Sequence, residues 1–459
     1  MKKAIYDLFV VVVLGSCLLV GESVNAAENP VNLDLDKSIE MALQNNLSIV
    51  QANDSKLKAE WGVKEAKRSQ GPTFTWAATV HHIGGDDYSQ KRAAHSTNPA
   101  LPAYDNEVAN TLSLSMPLYT GGSLKSKIAS AEYGVDASTL QLESTKQDVR
   151  YKTIEAYFKA LQTKSLVTVR EQAIKTGMEH LDNVNIQYEI GVVAKADVLE
   201  SEVQLANQKK ELNTVTGDYH NAKASLNNVI GLPVMTETNL VDEVDYMSYD
   251  GIPLEQCIEY AHLNHPGGLA QEYAVKMAAE TCKQAKANYR PQVSGVVKKV
   301  VTGEGEQFYD QDHSSSWKFG VEATWTVFDN QINAAKIKEA EMDLLNAQAK
   351  AKQTWENVDL GVIANYNSMC KARENILICK EAVEKAKESY EIANILYEEG
   401  VNTNDNVMRS QDKLMEAQNN YYTSLYDYEI DIAKLDQAMG RPVELDATLY
   451  REALSKEKR

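Results

Sequence analysis

Eight histidines and five cysteines are the residues of this 459-residue chain best able to bind a metal or attack a carbonyl. Their spacing favours neither. His262 and His265 stand three apart, like two ligands on one helical turn, but no third ligand is near and protein metal sites use three or four. His81-His82 falls in an alternating stretch and reads as strand-end residues rather than metal ligands. Gly303-Glu304-Gly305 has no helix opening behind it, so it reads as a hairpin tip and not a phosphate loop. Cys257 and Cys282, and Cys370 and Cys379, fall pairwise on helical stretches, 25 and 9 positions apart. That is beyond disulfide reach along one helix, and they read as small buried hydrophobes. With no nucleophile–base pair and no ligand cluster, no enzyme, cofactor or resident metal is expected.

The remaining polar residues of interest cluster after two glycines, Gly191 and Gly400, each preceded by tyrosine as Tyr188-x-x-Gly191 and Tyr397-x-x-Gly400. Glycine suits the left-handed residue that ends a helix. Each is followed by a helix restart: Thr403 is a candidate N-cap with Asn406 three residues on, and Ala194 with Asp197 is the counterpart. Asp197 and Asp405 either attract cations or favour a helix start by roughly 0.3–1 kcal/mol.

What positions these turns is written twice. Ser38 through Pro72 recurs as Cys257 through Pro291, a shift of 219, and Tyr157 through Pro233 recurs as Tyr366 through Pro442, a shift of 209. A fixed register means one unit built twice. Repeat one, 27–231, reads as a helix over 35–70, a β-hairpin over 72–120, a long helix over 122–190 and a helix over 194–230. Repeat two, 253–442, reads as a helix over 254–289 with a possible break at His265-Pro266, a hairpin over 291–329, and helices over 331–399 and 403–439. Residues 232–252 are a connector and 443–459 a tail. A helix near 70 residues is roughly 100 Å long, beyond any globular core, so its partners are other long helices. Leu414, Tyr421, Tyr428 and Leu435, and Leu205, Leu212, Tyr219 and Leu226, keep the seven-residue spacing of a coiled-coil seam.

The hairpins alternate with period two. Phe74, Trp76, Leu112 and Leu114, then Phe319, Val321 and Trp325, form apolar faces of outer-membrane strand length. Four strands cannot close a barrel, and lipid tolerates no open edge, so closure requires several subunits.

At this point the chain resembles the TolC-family outer-membrane efflux proteins. The likeness rests on Leu35-x-x-Ser38-Ile39-x-x-Ala42-Leu43-x-x-Asn46, on Pro117-Leu118-Tyr119-Thr120-Gly121-Gly122 and Val327-Phe328-Asp329-Asn330, and on the two tip sequences. Ile230-Gly231-Leu232-Pro233 and Met439-Gly440-Arg441-Pro442 add to it. The resemblance implies a mainly α chain with a membrane β-barrel: a homotrimer whose strands make one 12-stranded barrel in outer-membrane lipid. Its antiparallel coiled-coil helices would make an α-barrel reaching into the periplasm, with a periplasmic adaptor and an inner-membrane pump docking at the tip. It also implies acidic side chains after the second turn; here those positions are Asn406 and Arg409, with Asp405 adjacent and Asn402 where arginine is often found. Asp197 matches the family.

The ends and the charge fit export. Residues 1–26 have a basic start, an apolar run and Val24-Asn25-Ala26, the features of a secretory signal. Leu14-Gly15-Ser16-Cys17 also fits a lipid-attachment box, which would make Cys17 the mature N-terminus. The net charge of −18 argues against nucleic acid as a partner. The rival reading is a periplasmic coiled-coil adaptor or envelope tether, which would need the helices but no membrane-length strands.

Overall fold

Long stretches free of proline, rich in alanine, leucine, lysine and glutamate, dominate the structure as helices. The structure is a computed structural model that describes residues 31–82, 84–97, 106–241, 253–307 and 310–443. The expected signal segment, Cys17, the second part of the 232–252 connector and nearly all of the 443–459 tail lie outside the described residues. The elements run β1 (Val31–Leu33), α1 (Leu35–Asn45), α2 (Leu47–Arg68), β2 (Thr73–His82), α3 (Asp86–Thr97), β3 (Asn106–Tyr119), α4 (Ser123–Glu189), α5 (Lys195–Val229) and β4 (Thr238–Leu240). Then follow α6 (Leu254–Asn264), α7 (Pro266–Ala287), β5 (Gln292–Gln307), β6 (Asp310–Thr324), α8 (Ile332–Glu398) and α9 (Asn404–Ala438). Helices α1, α2, α4 and α5 have 11, 22, 67 and 35 residues, and α6, α7, α8 and α9 have the same four lengths.

The single helix expected over 35–70 is in fact two. Asn46 leaves helical geometry (φ −69°, ψ 124°) and caps α2 by accepting from the Ser48 amide at 2.9 Å. Its own side-chain amide donates to the Val229 carbonyl at 2.9 Å, so a distant contact holds the break open. His265 does the same before α7, where Pro266 takes the first helical position that proline tolerates. Cys257 and Cys282 therefore sit on separate helices, both as buried free thiols, and burial pushes the Cys257 thiol up.

All four helix ends at Gly191, Gly231, Gly400 and Gly440 close in the same way. Each glycine has positive φ, between 73° and 82°, and the next amide reaches back five residues, as from Val192 to the Gln187 carbonyl at 2.8 Å. Gly231 and Gly440 also need to be glycine for space. A Cβ on Gly231 would lie 2.6 Å from Asn45 Cβ, and one on Gly440 2.5 Å from His265 Cα, so each packs onto a helix break.

The neighbours along the helical body form rows. In the half nearer the sheet the order is α2, α4, α7, α8; in the half nearer the tips it is α5, α4, α9, α8. Between them lies an apolar core around Tyr157, Leu161, Leu226 and Ile230, with a second around Tyr428, Leu435, Val362 and Ile376. The two-stranded parallel pair β1–β4, unforeseen in the connector, closes over the first core with Leu33 and Leu240. Among the described residues, no helix is long and apolar enough to cross a membrane.

The four long strands make one sheet, ordered β2-β3-β5-β6 and antiparallel throughout. It extends further than expected. Gly303 and Glu304, read as a hairpin tip, lie inside β5 opposite His313 and Asp312, because the pairing continues to Gln307 and Asp310. Strand β6 stops at Thr324, since its partner β5 begins at Gln292 opposite it. Trp325, expected on the lipid face of that strand, is thus beyond it, and its indole donates to the Tyr289 carbonyl at 3.1 Å. Part of the connection between the two strands of the first hairpin is α3, with Asp86 in the first turn where the helix dipole favours acids.

Candidate functional site: the helix tips and the bare sheet face

At the far end of the helices, α4 and α8 turn into α5 and α9 around a small core of Val184, Val198, Tyr397 and Val407. Burial of each such side chain contributes about 1.5–3 kcal/mol. The two tyrosines of the tip motifs part company here. Tyr397 is 4% exposed and packs into this core, while Tyr188 is 44% exposed and does not pack between helices of its own chain.

A buried polar cluster ties α4, α5 and α9 together. The Asn404 side-chain carbonyl faces His180 Nε2 at 2.7 Å and accepts from the Ser201 hydroxyl at 3.2 Å. Its amide donates to the Asp197 carbonyl at 3.2 Å. The His180 ring lies 5.2 Å from that of Tyr397. Two turns further from the tip, Gln208 donates to Gln411 at 3.3 Å, and Gln411 donates to the Ala173 carbonyl at 2.9 Å. Sequence reading passed over these residues. Their signal was a polar side chain at each seam position, Ser201 and Gln208 on one helix and Asn404 and Gln411 on the other, again seven apart. Buried polar groups at such positions specify register at some cost in stability.

The charged candidates are locally engaged. Asp197 Oδ2 accepts from the Ala194 amide at 3.1 Å, so it caps the start of α5. Arg409 grips Asp405 through Nε–Oδ1 at 3.1 Å and Nη2–Oδ2 at 2.8 Å, one turn along α9. Asn402 donates to the Ala393 carbonyl at 2.9 Å and accepts from Asn406 at 2.8 Å, and Thr403 caps α9. Asp405 therefore stands beside a compensating cation.

Burial pushes the His180 imidazole below its ordinary value, against the opposing pull of Asn404. The unfolded chain then binds this proton more readily than the folded one. The neutral cluster contributes its stability above about pH 6.5 and loses it as pH falls below that value. Hydrogen exchange at the ends of α4 and α9, corrected for intrinsic rate, should accelerate between neutral and acidic pH. His180→Gln should flatten that dependence; an equally steep response in the variant rejects His180 as its source.

The histidines weighed as metal ligands have other partners. His262 contacts Asp359 at 2.7 Å and stacks on Trp355 at 4.9 Å, whereas His265 Nδ1 accepts from the Gly268 amide at 3.2 Å. Among the described residues no three His, Cys, Asp or Glu side chains converge to hold a metal.

The sheet is inside-out. Phe74 pairs with Leu114, Leu114 with Val297 and Val297 with Phe319; Trp76 pairs with Leu112, and Gly295 with Val321. These share one face, and Phe74, Trp76, Leu112, Leu114, Phe319 and Val321 are all exposed. Along β3, Leu112, Leu114 and Met116 are exposed, whereas Thr111, Ser113 and Ser115 between them are half-buried. Water does not select such a face; hydrocarbon does.

Long helical hairpins carrying a sheet with a bare apolar face are the architecture of an outer-membrane channel protein. A profile of the outer membrane efflux protein family matches residues 38–232 and 258–441, and the chain belongs to that family. The chain is 27% identical over 219 residues to outer membrane protein TolC of Escherichia coli K12, covering 45% of this chain and 43% of that protein, and so spans less than half of that relative. Against TolC of Salmonella enteritidis it is 21% identical over 399 residues, covering 81% of this chain and 76% of that one. The Campylobacter jejuni CmeC outer membrane channel shares its fold at a TM-score of 0.78 and 15% identity, covering 93% of this chain and 89% of that one.

Proposed function

We propose that three copies of this chain close into a passive exit duct, a 12-stranded barrel in the outer membrane continued by a helical tunnel in the periplasm. The carrying observation is the inside-out sheet with two free edges. β2 and β6 are the outer strands, and an even number of antiparallel strands leaves β6 antiparallel to the β2 of a neighbouring copy. Successive copies therefore extend the same meander until it closes and no edge meets lipid. The helical rows have matching open ends: α2 and α8 above, α5 and α8 below. α8 exposes Leu345, Leu360, Leu377 and Ile392, and α2 exposes Val50, Leu57 and Trp61, apolar surface suited to burial between copies.

Two copies of one unit, 27–231 and 253–442, joined through 232–252 and preceded by a signal segment, account for the equal helix lengths. The tip at Gly191 and Gly400 would meet a periplasmic adaptor and, through it, an inner-membrane pump for efflux or type I secretion. Tyr188, Ile190, Val192 and Val401, all exposed there, support that docking. No bond is made or broken, so no catalytic residue is assigned.

Purified protein should sediment as a trimer, partition with outer membranes and conduct in planar bilayers. A soluble monomer without conductance would restore the tether reading. At the entrance, Arg409→Ala should release the Asp405 carboxylate and deepen block by multivalent cations, while Asp405→Ala in the native background should change it little. Equal block in both variants rejects Asp405 as a lumen charge.

A further inference from the structure

The polar face of the sheet holds two lysines that the exit-duct reading leaves unassigned. Lys298 on β5 lies directly opposite Lys318 on β6. Like charges so placed weaken a sheet. Nothing nearby relieves them. Lys298 is flanked on its other side by Ser113, which pairs with Thr75 through hydroxyls 2.6 Å apart. The rows above and below on this face are Val300 with Ser316 and Val296 with Gly320. Glu322, the nearest carboxylate along β6, is four residues away, roughly 13 Å at strand rise. Neither lysine forms an ion pair among the described residues. The free neighbour of β6 offers no relief either, because β2, Thr-Phe-Thr-Trp-Ala-Ala-Thr-Val-His-His, contains no Asp or Glu in any register.

We infer that Lys298 and Lys318 form a basic collar inside the barrel that selects anionic solutes during their passage through the outer membrane. The inference rests on the trimeric duct proposed above: the apolar face meets lipid, so this face lines the lumen, and three copies bring six ammonium groups into it. A charged ring within low-dielectric walls focuses its field on the passing solute and outweighs the diffuse charge of the surface. The same face carries the acidic row Glu107–Glu304–Asp312 six residues further along β5, and Glu322 toward the other end, so the collar acts on solutes at its own level between them. At the periplasmic end Asp405 is held by Arg409, which leaves the collar unopposed by that carboxylate.

Reversal potentials of purified trimers under a potassium chloride gradient test it. The native channel should prefer chloride over potassium. Lys298→Gln with Lys318→Gln should lower that ratio by about threefold or more, with conductance retained. Lys298→Arg with Lys318→Arg should keep it. A Gln pair that conducts with the native ratio, or a native channel that prefers potassium, overturns the collar while the duct stands. A native trimer that inserts and conducts nothing overturns the duct and the collar with it.

Discussion

Gly440→Ala is expected to destabilise the protein by about 2–5 kcal/mol, because it combines a left-handed backbone with direct overlap. The residue has φ +73°, and a Cβ there would sit 2.5 Å from His265 Cα and 2.9 Å from both His265 N and the Asn264 carbonyl. These are backbone atoms at a helix break, so no rotamer change relieves them. Gly400→Ala is the control. It has nearly the same φ, +74°, but nothing within 4 Å, so only the conformational cost of about 1–2 kcal/mol remains. Thermal unfolding of the two variants should separate them clearly, with Gly440→Ala far lower. Coincident midpoints would show that the contact between Gly440 and the α6–α7 break does not hold the helices together.

Phe319→Arg should sharply lower the yield of assembled membrane part, although Lys299 already lies one row away on this face between Leu112 and Trp317. Phe319 lies in the row Phe74–Leu114–Val297–Phe319 on the apolar face and is 73% exposed. A basic side chain facing the middle of a bilayer costs about 2–4 kcal/mol, and a trimer incurs it three times. Ser316→Arg, on the other face of the same strand, should be tolerated, since that side chain would project into the lumen. The yield of heat-sensitive trimers in outer-membrane fractions reads both. Normal assembly of Phe319→Arg alongside failure of Ser316→Arg would invert the facing of the sheet. Trp325→Asp, which strand periodicity suggests as the test, is a poorer one, because Trp325 lies past the end of β6 and is bonded to the Tyr289 carbonyl.

Features governed by a few adjacent residues were readable from the chain. Helix ends at Gly191, Gly231, Gly400 and Gly440 were visible because a left-handed residue needs glycine. The apolar face of each strand was visible because side chains alternate. The ion pair of Asp405 with Arg409 was equally readable, as an i,i+4 spacing on a helix, and was missed because both were weighed separately as gate residues.

What escaped reading depended on partners far away in the chain. The break at Asn46 carries no proline or glycine; it is fixed by Val229 and by the tight approach of Gly231 to Asn45. The β1–β4 pair joins segments about two hundred residues apart, and neither three-residue strand has a pattern of its own. The length of β5 was set by β6, and the opposition of Lys298 and Lys318 became visible only once the register was known. The tip cluster needed His180, Ser201 and Asn404 from three helices.

By itself, then, the order of residues determined the long helices, the helix ends closed by glycine and which face of each long strand is apolar, since these follow from torsional preference and side-chain periodicity over a turn or two. Only the folded chain decided which strands adjoin, how far each strand runs and which helices a buried histidine binds. Those depend on contacts whose energy exists only after distant segments have been brought within a few ångströms of one another.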